Sequence, residues 1–279
     1  MLRKLFLSLA FIGLLLLAPS GGALAGVSQP EGVQVPIIMY HSLAGMGRSS
    51  TSISGEAFEA DLRYLRAQGY QAVTITALAA FVHQGEPLPE RPVVLTFDDG
   101  YYNNYSVGLS LAEQYGMPIA VSVIGKDTEI WSENLAIDEQ HGHVTWEQIR
   151  EMAESGFVEI LNHTWDLHKH EGGRSGAAIR PGEDLEHYRT VLEADVGRLQ
   201  ESLAERSGVR PFGFVYPFGK VCPEGDEILA EMGFLATLSC YDGVNTLTVG
   251  DPACLFSLRR FERGPERSLQ MILESLVLE

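Results

Sequence analysis

The chain alternates between short apolar runs and longer amphipathic segments, and this alternation limits the folds open to it. The clearest apolar runs, Pro92–Phe97 and Ile119–Val123, are typical of buried strands. Helical segments lie between the strands, and Thr145 with Gln148 has the spacing of a helix-starting capping box. Strands that alternate with helices predict a parallel sheet covered by helices. Because about seven or eight such units follow one another without a Gly-, Pro- or Ser-rich linker, we expect one barrel-like α/β domain.

The same reasoning predicts the other elements along the chain. Further strands are expected at residues 33–39, 70–75, 157–161, 212–216, 235–239 and 256–260. Helices are expected after Ser54, after Thr145, from Pro265, and at residues 76–83, 106–115, 183–206 and 226–232. In the helix at 183–206, leucines 185, 192, 199 and 203 are expected on the packed side.

Polar residues cluster where several of these strands end. The clusters are His41, Asp98–Asp99, the segment from His163 to His168, and the segment from Tyr216 to Gly219. In a parallel barrel the carboxyl ends of the strands meet on one face, where catalytic residues lie. The sequence therefore predicts that these four clusters form one site.

The residue types in these clusters favour metal-assisted hydrolysis. Two histidines, His163 and His168, with one aspartate make a three-ligand set for Zn²⁺ or a similar ion and leave a position open for water. If Asp99 is the third ligand, Asp98 remains free to act as a base, and His41 can act as an acid. The competing interpretation of the Asp-Asp-Gly segment is a solvated turn. The remaining histidines are interpreted as ordinary core or surface residues: His83, His141, His143, His170 and His187.

The N-terminus and the overall charge bear on location and partners. Residues 1–25 have the basic start, short apolar stretch and small-residue end of a signal peptide, so residues 26–279 are expected as an exported periplasmic or extracellular domain without stable membrane insertion. An uncleaved N-terminal anchor is the alternative. The 20 basic and 37 acidic residues give a net charge of −17, which disfavours nucleic-acid partners. The three cysteines are expected to be buried thiols, although one pair could form a disulfide.

Three segments together resemble the motifs of a known family. Thr96-Phe97-Asp98-Asp99-Gly100 resembles the TFDDG motif of the polysaccharide deacetylases, the NodB-homology group of carbohydrate esterase family 4. The segment from His163 to His168 is similar to the second motif of that family. Tyr216-Pro217-Phe218-Gly219, with Arg210 upstream, is similar to the third.

The resemblance implies a distorted (β/α) barrel that removes N-acetyl groups from amino-sugar polymers. It implies that Asp98 is the catalytic base and that Asp99, His163 and His168 hold one divalent ion, with Zn²⁺ expected and Co²⁺ or Ni²⁺ also suited to the ligands. It further implies that Tyr216, Pro217, Phe218 and Gly219 shape the acetyl pocket, with a backbone N–H near Phe218 steadying the oxyanion.

One departure from the family pattern concerns the catalytic acid. Many members carry it in a C-terminal Leu-x-x-His segment, but residues 255–261 contain no histidine. The segment Met39-Tyr40-His41-Ser42 instead resembles the N-terminal MYH segment of the branch that acts on poly-β-1,6-N-acetylglucosamine, so His41 is assigned as the acid. Residues 242–245 are only a loose candidate for the motif whose aspartate tunes that histidine.

These observations predict an exported, metal-dependent N-deacetylase of an exopolysaccharide such as poly-β-1,6-N-acetylglucosamine. An alternative substrate is peptidoglycan or a chitooligosaccharide. An alternative of another class is a carbohydrate-binding protein that keeps the barrel without turnover.

Overall fold

The computed structural model describes residues 32–45, 50–134 and 137–276. The predicted signal peptide at residues 1–25 lies outside the described residues, and so does the predicted start of the mature chain.

Short strands and longer helices alternate along the chain. The strands are β1 (Val33–Val35), β2 (Ile37–Tyr40), β3 (Gln71–Ala72), β4 (Pro92–Phe97), β5 (Ile119–Val123), β6 (Val158–Asn162), β7 (His170–Glu171), β8 (Arg174–Ser175), β9 (Gly213–Val215), β10 (Ala236–Leu238), β11 (Asn245–Leu247) and β12 (Phe261–Glu262). The α-helices are α1 (Gly55–Ala67), α2 (Ile75–Gln84), α3 (Ser110–Tyr115), α4 (Gly125–Asn134), α5 (Trp146–Glu154), α6 (Leu185–Arg206), α7 (Pro223–Glu231) and α8 (Leu269–Ser275).

The main sheet is parallel and curls into a distorted barrel. Its strand order is β10-β9-β6-β5-β4-β2-β12, and β3 adds alongside β4. The segment Leu258–Glu262 closes the sheet, because it contacts both β10 and β2. Leu258 forms a parallel bridge with Leu238 of β10, while Phe261 lies beside Ile38 of β2. The predicted fold, a distorted (β/α) barrel in a single domain, is confirmed.

The core lies on both faces of this sheet because successive side chains of a strand point to opposite sides. In β4, Val93 and Leu95 pack in a cluster with α1 and α5, whereas Val94 packs in a second cluster with α2. A third cluster forms where α6 covers the outer part of the sheet, and its members include Leu192 and Phe214.

Local sequence signals account for most helix boundaries. Ser54 accepts a hydrogen bond from the backbone of Ala57 and starts α1, and Thr145 with Gln148 forms the predicted capping box at α5. Four leucines were expected on the packed side of α6, and the prediction for Leu185 is wrong. Its side chain is 49% exposed, because Asp184 caps the helix and leaves Leu185 in the first turn.

Several predicted elements differ from those observed. The run at 33–39 divides at Pro36, which cannot donate a ladder hydrogen bond, and the helix expected at 106–115 begins as a π-helix at Asn104–Leu109. The strand expected at 256–260 does not form. A 3-10 helix, Pro252–Leu255, lies just before this range, and β12 starts just after it, at Phe261. Helix α4 and the β7–β8 hairpin were not predicted.

Two further expectations concern the thiols and the membrane. Cys222, Cys240 and Cys254 are all free thiols, and Cys222 is buried whereas the other two are half-buried. Among the helices that the structure describes, none is both long and apolar enough to cross a membrane.

Candidate active site

The predicted site residues follow neighbouring strands at the carboxyl edge of the sheet. The N–H of Asp98 donates to the Tyr40 carbonyl at 2.9 Å, so the loops after β4 and β2 leave the sheet side by side. In the same way, the N–H of His163 donates to the Val123 carbonyl at 3.1 Å and keeps the loop after β6 beside β5. The barrel thereby places His41, the aspartate pair and the first histidine on one face.

Asp99, His163 and His168 form a cluster that could hold a metal ion. Each offers one ligand atom, and these atoms all lie within 4.8 Å of one another. Asp99 Oδ1 is 3.6 Å from His163 Nε2 and 3.4 Å from His168 Nε2. Tetrahedral ligands at the usual zinc distances are about 3.3 Å apart. The cluster therefore has the dimensions of a divalent-ion site.

The surroundings of the three side chains favour a bound cation. His163 is buried, and its Nδ1 donates to the Val215 carbonyl at 2.7 Å, which directs Nε2 toward Asp99. Asp99 Oδ1 is buried and has no hydrogen-bond partner among the described residues. His168 has a side chain 25% exposed, so the cluster opens to solvent on that side. A buried carboxylate oxygen without a hydrogen bond, such as Asp99 Oδ1, needs a positively charged partner, which a metal ion would supply.

The backbone at these motifs is strained. Within the described residues, four non-glycine residues have positive φ, and three of them lie in the motifs: Asp99 (72°), Thr164 (74°) and Phe218 (57°). Such conformations persist only where the surrounding structure enforces them, and they concentrate at functional sites. Gly100 also has a positive φ, of 67°, which glycine adopts without strain. A Cβ at this position would lie 3.0 Å from Val123 Cγ1, so there is little room for a side chain.

The pKa values of Asp99, His163 and His168 follow from burial and from the proximity of these side chains to one another. Burial alone would raise the pKa of Asp99, but the His163, His41 and His168 rings hold it well below its usual range. Burial alone would lower the pKa of His163, but the two aspartates raise it. Burial and the neighbouring His163 ring lower the pKa of His168 to about 4. At neutral pH, His168 therefore presents a neutral nitrogen and Asp99 a charged oxygen, whereas the raised pKa of His163 means that a metal ion would have to displace a proton from that ring.

Asp98 is held by a buried arginine that the sequence analysis did not identify. Arg260 donates Nη1 to Asp98 Oδ1 and Nη2 to Asp98 Oδ2, both at 2.8 Å, and Ser122 Oγ donates to Oδ1 at 3.0 Å. Burial alone would raise the pKa of Asp98, but the Arg260 guanidinium, with His163 and His41, lowers it to about 2. Asp98 is therefore ionised, oriented and separate from the metal-ligand cluster. A pair of arginines inside the apolar run at 255–261 was the available signal.

His41 lies at the rim of this arrangement. It is half-buried, and its ring contributes to the lowered pKa of both Asp98 and Asp99. Its backbone carbonyl accepts a hydrogen bond from Asn104 Nδ2 at 2.9 Å. The structure thus brings His41 close to both carboxylates.

His143, interpreted from the sequence as an ordinary histidine, contacts the site. Its Nδ1 lies 2.9 Å from the backbone oxygen of Asp99, and its ring stacks on Tyr101 at 5.0 Å between centroids. Burial and the nearby Asp99 raise the pKa of Tyr101 above its usual range. His143 therefore supports the strained backbone of Asp99, and its position in a loop gave no periodic pattern to indicate this role.

The third motif places one side chain, that of Phe218, beside the cluster of Asp99, His163 and His168. Phe218 is 38% exposed, and its ring lies 4.5 Å from that of His168 and 4.2 Å from that of His170. The Tyr216 side chain is buried, and its hydroxyl donates to Asp226 at 3.0 Å. Gly219 packs so closely on Cys240 that a Cβ would lie 2.5 Å from its backbone nitrogen. Pro217 is buried as well.

Fold and site together define a family of carbohydrate-modifying hydrolases. A family model described as polysaccharide deacetylase matches residues 85–237, which is more than half of the chain. The chain belongs to the polysaccharide deacetylase family.

Individual relatives agree with this assignment. The poly-beta-1,6-N-acetyl-D-glucosamine N-deacetylase of Escherichia coli K12 is 26% identical over 259 residues, which cover 80% of this chain and 38% of that protein. The chain thus spans about two fifths of the length of that relative. The Bacillus subtilis protein YxkH, which is named as a polysaccharide deacetylase, is 33% identical over 195 residues, covering 66% of this chain and 65% of that protein.

Solved structures show the same fold. IcaB from Ammonifex degensii superposes with a TM-score of 0.70 at 27% identity, covering 88% of this chain and 97% of that one. A de-N-acetylase from Aggregatibacter actinomycetemcomitans superposes with a TM-score of 0.73 at 23% identity, covering 87% and 99%.

Proposed function

We propose that this protein is a metal-dependent hydrolase that removes N-acetyl groups from an amino-sugar polysaccharide, with poly-β-1,6-N-acetylglucosamine as the substrate. The observation that carries the proposal is the pairing of two adjacent carboxylates with different surroundings. Asp99 faces two imidazole nitrogens at 3.4 and 3.6 Å, whereas Asp98 is held as an anion by Arg260. Metal-assisted hydrolysis of an amide uses a cation site together with a separate base that takes the proton of the attacking water.

Asp99, His163 and His168 would hold the ion, and Zn²⁺ is proposed, with Co²⁺ or Ni²⁺ as ions that also suit this donor set. When bound, the ion polarises the acetyl carbonyl and makes water acidic enough to attack it. His163 is prepared for this role by its hydrogen bond to the Val215 carbonyl, which leaves Nε2 free as the ligand atom.

The protein's own groups would handle the protons. Asp98 accepts a proton from the attacking water, and Arg260 keeps the carboxylate ionised and correctly oriented for that transfer. His41, beside both carboxylates, donates a proton to the leaving amine nitrogen. The backbone N–H near Phe218 steadies the oxyanion, and residues 216–219 shape the acetyl pocket.

Two observations support an amino-sugar polymer as the substrate. Relatives from Escherichia coli and from Staphylococcus epidermidis are named for N-deacetylation of poly-β-1,6-N-acetylglucosamine. The net charge of −17 does not repel a product that carries free amines. Since the substrate is an extracellular polymer in this proposal, we also propose that the protein is exported. Peptidoglycan and chitooligosaccharides are the alternative substrates.

The test is acetate release from poly-N-acetylglucosamine, peptidoglycan and chitin oligomers, with and without a chelator. We expect acetate from the first polymer and loss of activity with the chelator. Asp98→Asn should abolish release while the protein still binds Zn²⁺, because Asp98 is not a ligand. His163→Ala should lose both acetate release and Zn²⁺ binding. His83 is an exposed histidine away from the site residues, so His83→Ala is the matched control. Binding of the polymer without any acetate release would favour a non-catalytic carbohydrate-binding protein instead.

A further inference from the structure

An asparagine pair connects the loop that carries His41 to the loop that carries the two aspartates. Asn103 and Asn104 follow Asp99 closely in sequence and stand at the start of the π-helix Asn104–Leu109. Both side chains are buried, Asn103 at 3% and Asn104 at 0% exposure. Buried amides are retained where their hydrogen bonds hold a specific geometry.

The pair makes hydrogen bonds to three consecutive residues of the His41 loop. Asn104 Nδ2 donates to the His41 carbonyl at 2.9 Å. Asn103 Nδ2 donates to Ser42 Oγ at 3.0 Å, and Asn103 Oδ1 accepts from the Leu43 N–H at 2.7 Å. These bonds fix the loop from the His41 carbonyl to Leu43 relative to the loop after β4.

Two polar atoms of this arrangement have no partner. Among the described residues, His41 Nδ1 and Asn104 Oδ1 are both buried without a hydrogen bond. They belong to residues that are already joined by the 2.9 Å bond from Asn104 Nδ2. Because the His41 ring makes no hydrogen bond through Nδ1, its position depends on how the backbone of its loop is held. Asp242, the candidate from the sequence, is instead paired with Arg267 at 2.8 Å.

We infer that Asn104, supported by Asn103, is the positioning residue of His41. Asn104 Nδ2, bonded to the His41 carbonyl, holds the loop so that the His41 ring keeps its position beside the two aspartates. The consequence for catalysis rests on the proposed role of His41 as the acid. A displacement of about 1 Å at a proton-transfer distance can lower a rate by about a hundredfold.

The first test measures the state of the His41 ring without reference to activity. NMR of isotope-labelled histidine nitrogens is recorded with Zn²⁺ at about pH 8.5, where an ordinary imidazole is neutral. His41→Ala identifies the signals. We expect the ring-nitrogen signals of His41 to shift in Asn104→Leu, which keeps the number and branching of the side-chain heavy atoms but removes both hydrogen-bonding atoms, because the loop no longer holds the ring in place. Unchanged His41 signals in Asn104→Leu would overturn the inference.

The second test separates positioning from a merely structural role. Asn104→Leu should lower kcat for acetate release by about 10 to 100-fold with little change in KM or in Zn²⁺ affinity, and should add no further loss in a His41→Ala background. Thr74→Ala is the control for lost stability, because this cap of α2 lies beside Glu159 at the amino end of β6, away from the site. An equal loss from Asn104→Leu with and without His41 would contradict positioning through His41.

The two tests also distinguish this inference from the proposed function. If the wild type releases no acetate but the His41 signals shift in Asn104→Leu, the proposed function fails and the positioning of His41 stands. If acetate is released and the His41 signals are unaffected by Asn104→Leu, the proposed function stands and this inference fails.

Discussion

Replacing Arg260 by methionine should change both the stability of the protein and the direction of its pH dependence. The guanidinium of Arg260 and the carboxylate of Asp98 are both buried and share two hydrogen bonds of 2.8 Å. Removing one partner of a buried ion pair leaves the other charge uncompensated, which destabilises a protein by roughly 3–5 kcal/mol. We therefore expect Arg260→Met to lower the free energy of unfolding by that order at neutral pH.

The sign of the pH dependence follows from the pKa of Asp98. Arg260 holds this pKa at about 2 in the folded protein, below the value of about 3.9 in an unfolded chain. The difference stabilises the wild type by roughly 2–3 kcal/mol above about pH 4, and this contribution is lost as the pH falls from about 4 to about 2. In Arg260→Met, burial is no longer opposed by Arg260, so the pKa of Asp98 rises above its usual value. Protonation then relieves the buried charge, and this contribution to stability increases as the pH falls from neutral toward about 4.

Urea unfolding of the metal-free protein across this pH range provides the measurement. The contribution of Asp98 is isolated by comparing Arg260→Met with the double variant Arg260→Met/Asp98→Asn, in which this carboxyl cannot titrate. Arg263→Met is the matched control, since Arg263 forms a buried pair with Asp61 at 2.8 Å. Arg263→Met should lower the free energy of unfolding as well. In a separate assay of acetate release against pH with Zn²⁺ present, Arg263→Met should leave the acidic limb of the profile in place, whereas Arg260→Met should move that limb to higher pH. The same pH dependence in Arg260→Met and in the double variant would refute this reasoning.

Three other changes test separate parts of the structure. His41→Ala should slow acetate release by roughly 10²–10⁴-fold if it removes the acid, and an unchanged rate in a steady-state assay would assign that role elsewhere. Gly100→Ala should lower stability by at least about 1 kcal/mol in urea unfolding, because of its φ of 67° and the approach to Val123, and wild-type stability would show that the turn can relax. Leu192→Ala should lower the free energy of unfolding by about 2–5 kcal/mol without altering Zn²⁺ affinity, since Leu192 is fully buried on the inner face of α6; altered metal binding would contradict the separation of the third cluster from the site.

The parts of the fold that depend on local pattern could be predicted from the sequence. The strands β4 and β5 occupy the ranges expected from their apolar runs, and the capping box of α5 forms as its spacing indicates. The convergence of the motifs at one edge followed from the parallel topology, which places the carboxyl ends of strands on the same face. Asp99, His163 and His168 were accordingly predicted as one cluster, and their ligand atoms lie together.

Features that depend on distant pairing could not be predicted in this way. Arg260 is separated from Asp98 by 162 positions, and only the closure of the barrel brings them together. The sequence around Arg260 was expected to form an ordinary strand, and no local signal indicates which buried carboxylate an arginine will meet. The contact of His143 with the Asp99 carbonyl likewise depends on a loop conformation without periodicity. No local pattern indicated the π-helix at Asn104–Leu109, whose first residue bonds to the His41 carbonyl.

The closing segment at Leu258–Glu262 has a consequence for the order in which the molecule becomes competent during synthesis. Asp99, His163 and His168 all precede this segment in the chain and leave the ribosome before it does. Until it docks between β10 and β2, Asp98 has no guanidinium beside it, and a carboxylate enclosed next to Asp99 is neutralised by a proton instead. A partly folded chain in which this segment is undocked can therefore bring Asp99, His163 and His168 together and still lack an ionised Asp98.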